Sequence, residues 1–506
     1  MVWRQRAAAV CLGLAALLTP GGARADCGSP ATTTAPPSLC RNGFSIDLYQ
    51  GPVLAPSRVI ALGGAFAALA SGVDGLGQNA ASAGVRTPNS FNRLDYDLSL
   101  SVSLPGAFGK TDFDNRGTAG LNSTAFFYTA GAQVQWDTWG VAVLGDFQRY
   151  SLAPAAGSSL PPAAVGIARL RVAAGALALG NQVTVGAGLR ALRLTVEALP
   201  SGTNVNHIVL PDGENLLSMV GLAPEVGVVI HPDELPWRVG LSYRAPVTAT
   251  GSPDARVETG PDGLRRAAGL VLPERVRLPW EVEAGVALSA GPRPLNPHWI
   301  DPREHEALAR RRILEERRER EGVRALELAA IADPEVRERR RATDEATERY
   351  VRADEERRFN DMVRLLEEER RARYDNWPRA RILILADGVL TGTTRNGLGL
   401  QSFLRQEDVV SGDRVSFQPR LGFETEPIVN RLVTRVGSYL EPTRYRRDAG
   451  PGILSGSRQH FTFGVELRTF AWDGFGLARL TKFTVRVVGD IAPRYQNFGL
   501  SVGTWH

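Results

Sequence analysis

The chain has 506 residues; 43% are hydrophobic, 22% are charged and 53 are glycine, which is typical of strands and turns. Of the 113 charged residues, 43 lie in positions 301–379, so the other 427 positions carry only 70. Because Arg4, Arg6 and Arg24 supply three of the net +5 charges, the remainder is near neutral, which argues against a nucleic-acid-binding protein. No apolar stretch of about eighteen residues follows the N-terminal leader, which excludes a helical inner-membrane protein.

Residues 1–25 are predicted to be a secretory signal peptide. Arg4 and Arg6 precede an apolar run from Ala7 to Leu18, and Ala23-Arg24-Ala25 has the small-x-small form of a cleavage site. The apolar run is too short to span a membrane as a mature helix.

Residues 26–43 form an N-terminal segment that keeps Cys27 and Cys40 once Cys11 is removed with the leader. Two cysteines in an oxidising compartment predict one local, structural disulfide. A redox pair is the less favoured alternative, because the CxxC spacing is missing.

Residues 44–91 contain a small, apolar, glycine-rich run from Arg58 to Ala70, followed by the stretch Ser71–Ser82. Such a run can pack inside a confined space that excludes bulky side chains. Taken alone, Gly63 and Gly64 indicate tight packing or a turn.

Strict alternation of apolar and polar residues begins at Asn92. The outward set in the first strand is Leu94, Tyr96, Leu98, Leu100, Val102 and Leu104. The pattern predicts fourteen strands, at 92–104, 124–136, 139–150, 164–179, 182–197, 219–231, 236–248, 275–290, 380–393, 414–425, 430–441, 459–471, 480–490 and 496–505. Only a closed barrel satisfies strand backbones in lipid, so we predict an all-β fold, a 14-stranded antiparallel transmembrane β-barrel of the bacterial outer membrane.

The connections between these strands alternate in length. If the first strand runs outward, the even connections are short, as periplasmic turns are, and most of the odd ones are long. Strands one to eight occupy 92–300 and strands nine to fourteen occupy 380–506. The connection between strands eight and nine breaks the rule, because it holds the charged insert.

The insert, residues 301–379, has the Arg, Glu, Ala and Leu content of long solvated helices. Asp333-Pro334 fits a helix start, so we predict an inserted periplasmic α-helical hairpin of two helices, 302–331 and 334–373. A thin apolar stripe is expected to join them, formed by Val336, Ala346, Tyr350, Ala353, Met362 and Leu366. Two alternatives stay open: a solvated arm without a partner, and a docking arm for a periplasmic protein.

Charged residues occur on the face predicted to line the lumen. They are Arg277, Glu281, Glu283, Arg420, Arg435, Glu466, Arg468 and Arg486. These residues are expected to pair across the lumen and hold it rigid; the alternative is a polar guide for a carboxylate ligand. On the opposite face of their strands, Val276 and Leu278 are expected to contact lipid.

Three prolines interrupt predicted strands, namely Pro224, Pro279 and Pro419. Each removes a ladder donor in a barrel that has no free edge. We hypothesise that such a gap lets an apolar ligand leave sideways into lipid.

The apolar run resembles the plug, or hatch, of the FadL/TodX (OMPP1) family of outer-membrane transporters of hydrophobic compounds. The matching residues are Gly63, Gly64, Ala65, Phe66, Ala68, Asn79 and Ala81; Ala80 replaces the usual proline, and Ser71-Gly72 replaces an acidic pair. The stretches 221–247 and 272–280 are also similar to family motifs. The resemblance covers roughly 44–300 and 380–506, and it implies fourteen strands and an N-terminal lumenal plug at 44–91.

The sequence therefore predicts passive uptake of hydrophobic small molecules, with long-chain fatty acids as the default that the resemblance implies. The alternative is a barrel scaffold that docks periplasmic partners through 301–379. The expected surroundings are outer-membrane lipid, without nucleic acid. The six histidines show neither metal-ligand spacing nor a neighbouring serine nucleophile, so we expect no metal, no cofactor and no enzyme activity.

Overall fold

The computed structural model describes most of the chain. It covers residues 37–49, 51–86, 93–107, 111–117, 125–152, 160–200, 203, 214–251, 253, 256–299, 301–378, 380–445, 456–470, 472–474 and 478–505. The predicted signal peptide and Cys27 lie outside the described residues. Cys40 is disulfide-bonded.

Fourteen antiparallel strands form the barrel wall, as the alternation predicted. They are β1 (Leu94–Pro105), β2 (Phe126–Trp136), β3 (Trp139–Leu152), β4 (Ala163–Ala178), β5 (Val183–Ala198), β6 (Glu214–Ile230), β7 (Trp237–Arg244), β8 (Glu281–Ala290), β9 (Ile382–Thr391), β10 (Ser416–Ile428), β11 (Leu432–Glu441), β12 (Arg458–Arg468), β13 (Ala478–Ala492) and β14 (Tyr495–Trp505). Each strand pairs with the next, and β14 pairs with β1 from Ser99–Gly503 to Pro105–Asn497. The sheet is therefore closed, without a free edge.

The two faces of the wall differ as the sequence predicted. On β1, Leu98 and Leu100 are exposed to the outside, whereas Ser99, Ser101 and Ser103 are buried on the inside. The outward apolar residues form the belt that lipid contact requires.

The two ends of the barrel also differ. Tight turns such as Asp137-Thr138 lie at one end, the short-turn end, where the insert also leaves the wall. Longer connections, such as those between β7 and β8 and between β9 and β10, lie at the other end, the long-connection end.

Two wall strands are shorter than predicted, which corrects their predicted bounds of 236–248 and 275–290. β7 ends at Arg244 and β8 begins at Glu281. The chain leaves the wall near Pro246 and Pro279, which have no N–H to donate. Outside the wall, Val247–Ala249, which follows β7, pairs with Arg275–Leu278, which precedes β8.

That extension belongs to a separate four-stranded sheet at the long-connection end. Ser45–Asp47 lies in it, parallel to both Arg275–Leu278 and Gly397–Gly399. Val276 and Leu278, predicted to contact lipid, instead pack in the buried cluster at this end, and Arg277 lies outside the barrel wall, so these predictions were wrong.

Smaller elements complete the described chain. They are a three-stranded sheet of Glu258–Thr259, Arg265–Ala267 and Leu270–Val271, the strand Trp472–Gly474, the helices Ser57–Ala61 and Leu400–Leu404, and the 3-10 helices Val73–Gly77 and Ala80–Ala83. Ser57–Ala61 and both 3-10 helices belong to residues 51–86, which lie inside the barrel and are almost wholly buried. We call residues 51–86 the lumenal segment.

The insert folds into two helices, α1 (Pro302–Ala330) and α2 (Pro334–Asp375), close to the predicted bounds. Asp301 and Asp333 cap their N-termini by accepting hydrogen bonds from the first backbone amides, and a proline follows each of them. We call this helical hairpin the arm. No helix in the described part of the chain is both long and apolar enough to cross a membrane.

The seam of the arm differs from the predicted apolar stripe. Val336 and Tyr350 are exposed, Tyr350 by 80%, whereas Glu348, Glu355 and Phe359 of α2 are buried against α1. Arginines of α1 hold the two glutamates, so ion pairs rather than a continuous apolar stripe define the contact.

Candidate functional site in the barrel lumen

The lumenal segment approaches the barrel wall at positions where the wall has no side chain. A Cβ atom added to Gly186 would overlap the backbone of Ala80 and Ala81, and one added to Gly240 would overlap that of Ala67. Similar close approaches join Gly140 to Ala83, Gly175 to Gly84, and both Gly422 and Gly437 to Leu62. The lumenal segment is therefore packed against the wall as densely as side chains pack in a protein core.

The sequence singled out Gly63 and Gly64, and the structure places both inside the lumen in left-handed backbone, with φ of 62° and 80°. A Cβ atom on Gly63 would lie 2.8 Å from the carbonyl oxygen of Leu421 and from the amide nitrogen of Ser438. Glycine is required at Gly63 both by its backbone conformation and by its distance from the wall.

Ala65 and Phe66, which follow the glycines, are fully buried. The amides of Phe66 and Ala67 donate to the same carboxylate oxygen of Asp387 on β9, at 2.6 and 2.8 Å. A wall carboxylate thus fixes the backbone that follows the glycine pair.

Asn79 ties two parts of the lumenal segment to the wall. Its Oδ1 accepts a hydrogen bond from the amide of Ala81 at 3.0 Å, which caps the 3-10 helix Ala80–Ala83. Its Nδ2 donates to the carbonyl oxygens of Ala67 and Val228, at 3.0 and 3.2 Å. Asn79 and Ala81 therefore position the segment.

A network of ion pairs joins β10 to β13 on one side of the lumen. Arg435 lies 2.7 Å from Glu424 and 2.8 Å from Glu466. Glu466 also pairs with Arg468 and Arg486, both at 2.9 Å. These side chains are almost inaccessible to solvent, so the loss of one member would leave buried charges unpaired.

The lumenal segment takes part in this network. Arg486 lies 3.3 Å from Asp74, and Arg58 lies 3.6 Å from Glu424. The same charges thus hold the wall strands together and hold the segment in place.

A second network surrounds Glu283 of β8. Its carboxylate lies 2.6 Å from Arg244 and 3.1 Å from Arg420, and Arg244 also lies 2.9 Å from Glu281. Arg420 donates to the carbonyl oxygen of Gly64 at 3.2 Å. Seven of the eight charges predicted to line the lumen take part in ion pairs there, namely Glu281, Glu283, Arg420, Arg435, Glu466, Arg468 and Arg486.

A third cluster was missed by the sequence interpretation. His460 lies between Glu441 and Asp490, 2.8 Å from each carboxylate, and its ring stacks on Tyr439 at 4.2 Å. The alternation on β12 places His460 on the inner face, but only the register with β11 and β13 brings its partners together.

The opposite side of the lumen is apolar in the half near the long-connection end. We call this the apolar sector; it consists of Leu152, Val165, Ile167, Leu192, Leu194, Val196, Leu217 and Met219, all buried. Phe44, Ile46 and Leu48 pack in the same cluster. The inner face of the wall is therefore apolar in this sector, which an aqueous pore would not require.

A polar cavity of about 150 Å³ lies at the short-turn end, below the lumenal segment. Arg238 is one of its lining residues and donates to the side chain of Asn296 and to the carbonyl oxygen of Leu69. Tyr374 of α2 also lines this cavity, so the arm contributes to the surface of the lumen.

The three strand prolines lie where the ladders are interrupted. Pairing of β6 with β7 stops at Glu225, next to Pro224, and pairing of β10 with β11 stops at Arg420, next to Pro419. Pro279 separates Arg275–Leu278 from β8.

Among the described residues, no group of three or more His, Cys, Asp or Glu side chains is placed to hold a metal ion.

No family model matches this chain, and no curated protein matches it in sequence. Among solved structures, the chain is similar to a Pseudomonas aeruginosa FadL homologue at 10% identity, covering 91% of this chain and 99% of that one, with a TM-score of 0.48. It is also similar to a deltaS2S3 mutant of the TodX monoaromatic hydrocarbon channel, at 12% identity, 89% and 98% coverage and a TM-score of 0.44. A third is the CymD monoaromatic hydrocarbon channel, at 9% identity, 90% and 97% coverage and a TM-score of 0.41.

The closed fourteen-stranded wall and its apolar outer belt are features of bacterial outer-membrane proteins. The chain is an outer-membrane β-barrel that resembles the FadL/TodX channels.

Proposed function

We propose that the protein is a channel for the passive uptake of hydrophobic small molecules across the outer membrane. The apolar sector is the observation that carries this proposal, because it lines the inside of the wall with apolar side chains. Apolar ligands gain about 25 cal/mol for each Å² that they remove from water, whereas sugars and ions gain nothing there.

The ion-pair networks have a supporting role in this function. Their charges are largely neutralised by one another, so they stiffen the wall around the lumenal segment instead of attracting ions. Entry into the periplasm then requires the segment to move, and lateral exit next to the strand prolines avoids an aqueous step. Long-chain fatty acids are the substrate class that the sequence resemblance implies.

Uptake by the intact protein in vesicles tests this proposal. Ala223 is buried in the same apolar cluster, whereas its neighbour Leu222 is 61% exposed on the outer face. Ala223→Trp adds a bulky side chain to this apolar cluster and should abolish most uptake of a labelled long-chain fatty acid. Leu222→Trp, the matched control, should leave uptake unchanged. Equal uptake by both variants would contradict a path along the apolar sector.

The arm supports a second candidate function, docking of a periplasmic protein. Leu326 and Tyr350 expose large apolar surfaces, 74% and 80% of each residue. Deletion of 303–373 should spare fatty-acid uptake if the barrel is a transporter. If this deletion abolishes function while Ala223→Trp has no effect, the arm is the functional part.

A further inference from the structure

A groove of about 570 Å³ lies on the outside of the wall, at the level where the strands approach the long-connection end. Its lining includes Phe126, Tyr128, Phe147, Arg149, Ala168 and Arg193, from β2 to β5. We call it the outer groove. Its volume is within the range of sites that bind small molecules.

The floor of the outer groove is aromatic. The rings of Tyr128 and Phe147 stack at 4.7 Å with an angle of 15° between their planes, and Phe126 lies 5.5 Å from Tyr128. Gly166 and Ala168 on the neighbouring strand have little or no side chain, so they leave space next to the rings. A flat apolar floor with a depression next to it fits an extended acyl chain.

The position of the groove along the wall sets its depth in the membrane. On β3 the outward side chains from Trp139 to Phe147 form the apolar belt, and this stretch matches the roughly 9–11 residues that cross the hydrocarbon core. Arg149 is the next outward residue. On β5, Arg193 likewise follows outward apolar residues, Val185 and Leu189. Both guanidinium groups therefore lie at the level of the lipid headgroups.

The charge at this edge of the outer groove is positive. Arg149 lies 2.8 Å from Glu197, which neutralises one of the two guanidinium groups. Arg193 is exposed, and no carboxylate among the described residues forms an ion pair with it. A guanidinium at the boundary of lipid and water binds phosphate oxygens well, because its N–H groups match their geometry.

We propose that the outer groove binds a phosphorylated lipid of the outer leaflet, with an acyl chain on the aromatic floor and a phosphate at Arg193 and Arg149. The proposal combines the aromatic floor, the depth and the net positive charge. It does not depend on passage through the lumen, so it stands or falls separately from the uptake function.

Binding of purified lipid A to the full-length protein in detergent, measured by native mass spectrometry, tests the phosphate contact. Intact lipid A should bind more tightly than dephosphorylated lipid A. Arg193→Gln should weaken binding of intact lipid A about fivefold and leave the dephosphorylated form unaffected. Arg256→Gln, at an exposed arginine of the β7–β8 connection, is the charge-matched control and should bind as the wild type does. Equal binding of the two lipids to the wild-type protein would overturn the proposal.

Filling the groove tests the acyl-chain contact. Ala168→Trp should lower binding of both lipids, whereas Ala174→Trp should not, because Ala174 is exposed on the outer face of the same strand below the groove. Fatty-acid uptake should be unchanged in both variants. If Ala168→Trp and Ala174→Trp bind lipid A equally, the groove is not the binding site.

Discussion

The lumen and the arm are both rich in arginine–carboxylate pairs, yet the pairs serve different purposes. In the lumen, Arg435 is 2% exposed and is shared between Glu424 and Glu466. In the arm, Arg340 is 53% exposed and pairs with Asp344 one turn away on the same helix. The chemical groups are alike, but the environment is not.

The difference shows that burial, rather than the number of pairs, determines what an ion pair contributes. An exposed pair is worth about 0–1 kcal/mol, because water and salt compete with it. Removing one partner of a buried pair costs about 3–5 kcal/mol, because the remaining charge is left without a counter-charge. The barrel should therefore depend on its charges for stability, whereas the charges of the arm outside the Glu348 and Glu355 contacts should contribute mainly to solubility.

Breaking the lumenal network should produce the largest effect. Arg435→Met leaves Glu424 and Glu466 without their shared cation and should lower the free energy of unfolding by about 3–5 kcal/mol. Urea unfolding of the protein in phospholipid vesicles measures this loss. Arg340→Met in the arm is the matched control and should cost less than about 1 kcal/mol. Equal losses would remove the distinction between the two regions.

Crowding the contact between the wall and the lumenal segment should have an intermediate effect. Gly186→Val places a side chain against the backbone of Ala80 and should lower the free energy of unfolding by about 1–3 kcal/mol. The segment should also become more sensitive to added protease. Ala187→Val adds the same kind of bulk to the outer face, so it should neither lower the stability nor raise the protease sensitivity of the segment. Protection equal to that of the wild type in Gly186→Val would show that the segment is loosely held.

Acid should loosen the arm with a smaller effect. Burial alone would raise the pKa of Glu355, but hydrogen bonds from Arg317 and Arg320 outweigh it and hold the pKa below the ordinary value of 4.5. The stabilisation that ionised Glu355 gives the α1–α2 contact is thus present above pH 4.5. It is lost as the pH falls through the lowered pKa of Glu355.

Hydrogen exchange of the α1–α2 seam between pH 3 and pH 7 measures this loss, which should be a few tenths of a kcal/mol. Glu355→Gln should remove only part of the pH dependence, because burial of Glu348 in the same seam is likewise outweighed by hydrogen bonds from Arg324 and Arg352, which lower its pKa. A seam whose exchange, corrected for the intrinsic effect of pH, does not change across this range would exclude Glu355 as its titrating group.

Local patterns in the sequence carry most of the fold. Alternation along β1 predicted both its bounds and its outward face, because a strand places successive side chains on opposite sides. Asp333-Pro334 predicted the start of α2 to the residue, because capping depends on neighbouring positions.

Features that depend on distant partners could not be predicted in this way. The parallel strand Ser45–Asp47 requires Arg275–Leu278 and Gly397–Gly399 to meet, and no local pattern encodes their pairing. The residues that position the lumenal segment were recognised by resemblance, but their contacts, such as Phe66 with Asp387, arise from the register of the closed barrel. The cluster around His460 was missed for the same reason.

The burial of the lumenal segment has a consequence for how the chain folds. The amide of Val53 donates to the hydroxyl of Tyr439, 386 positions later, and Phe66 meets Asp387 across 321 positions. Contacts between residues so far apart in sequence form slowly, because a long loop must close first. The N-terminal residues are synthesised first but gain these contacts only when the second half of the wall is present. Completion of the wall and docking of the segment are therefore expected to occur as one late, cooperative step.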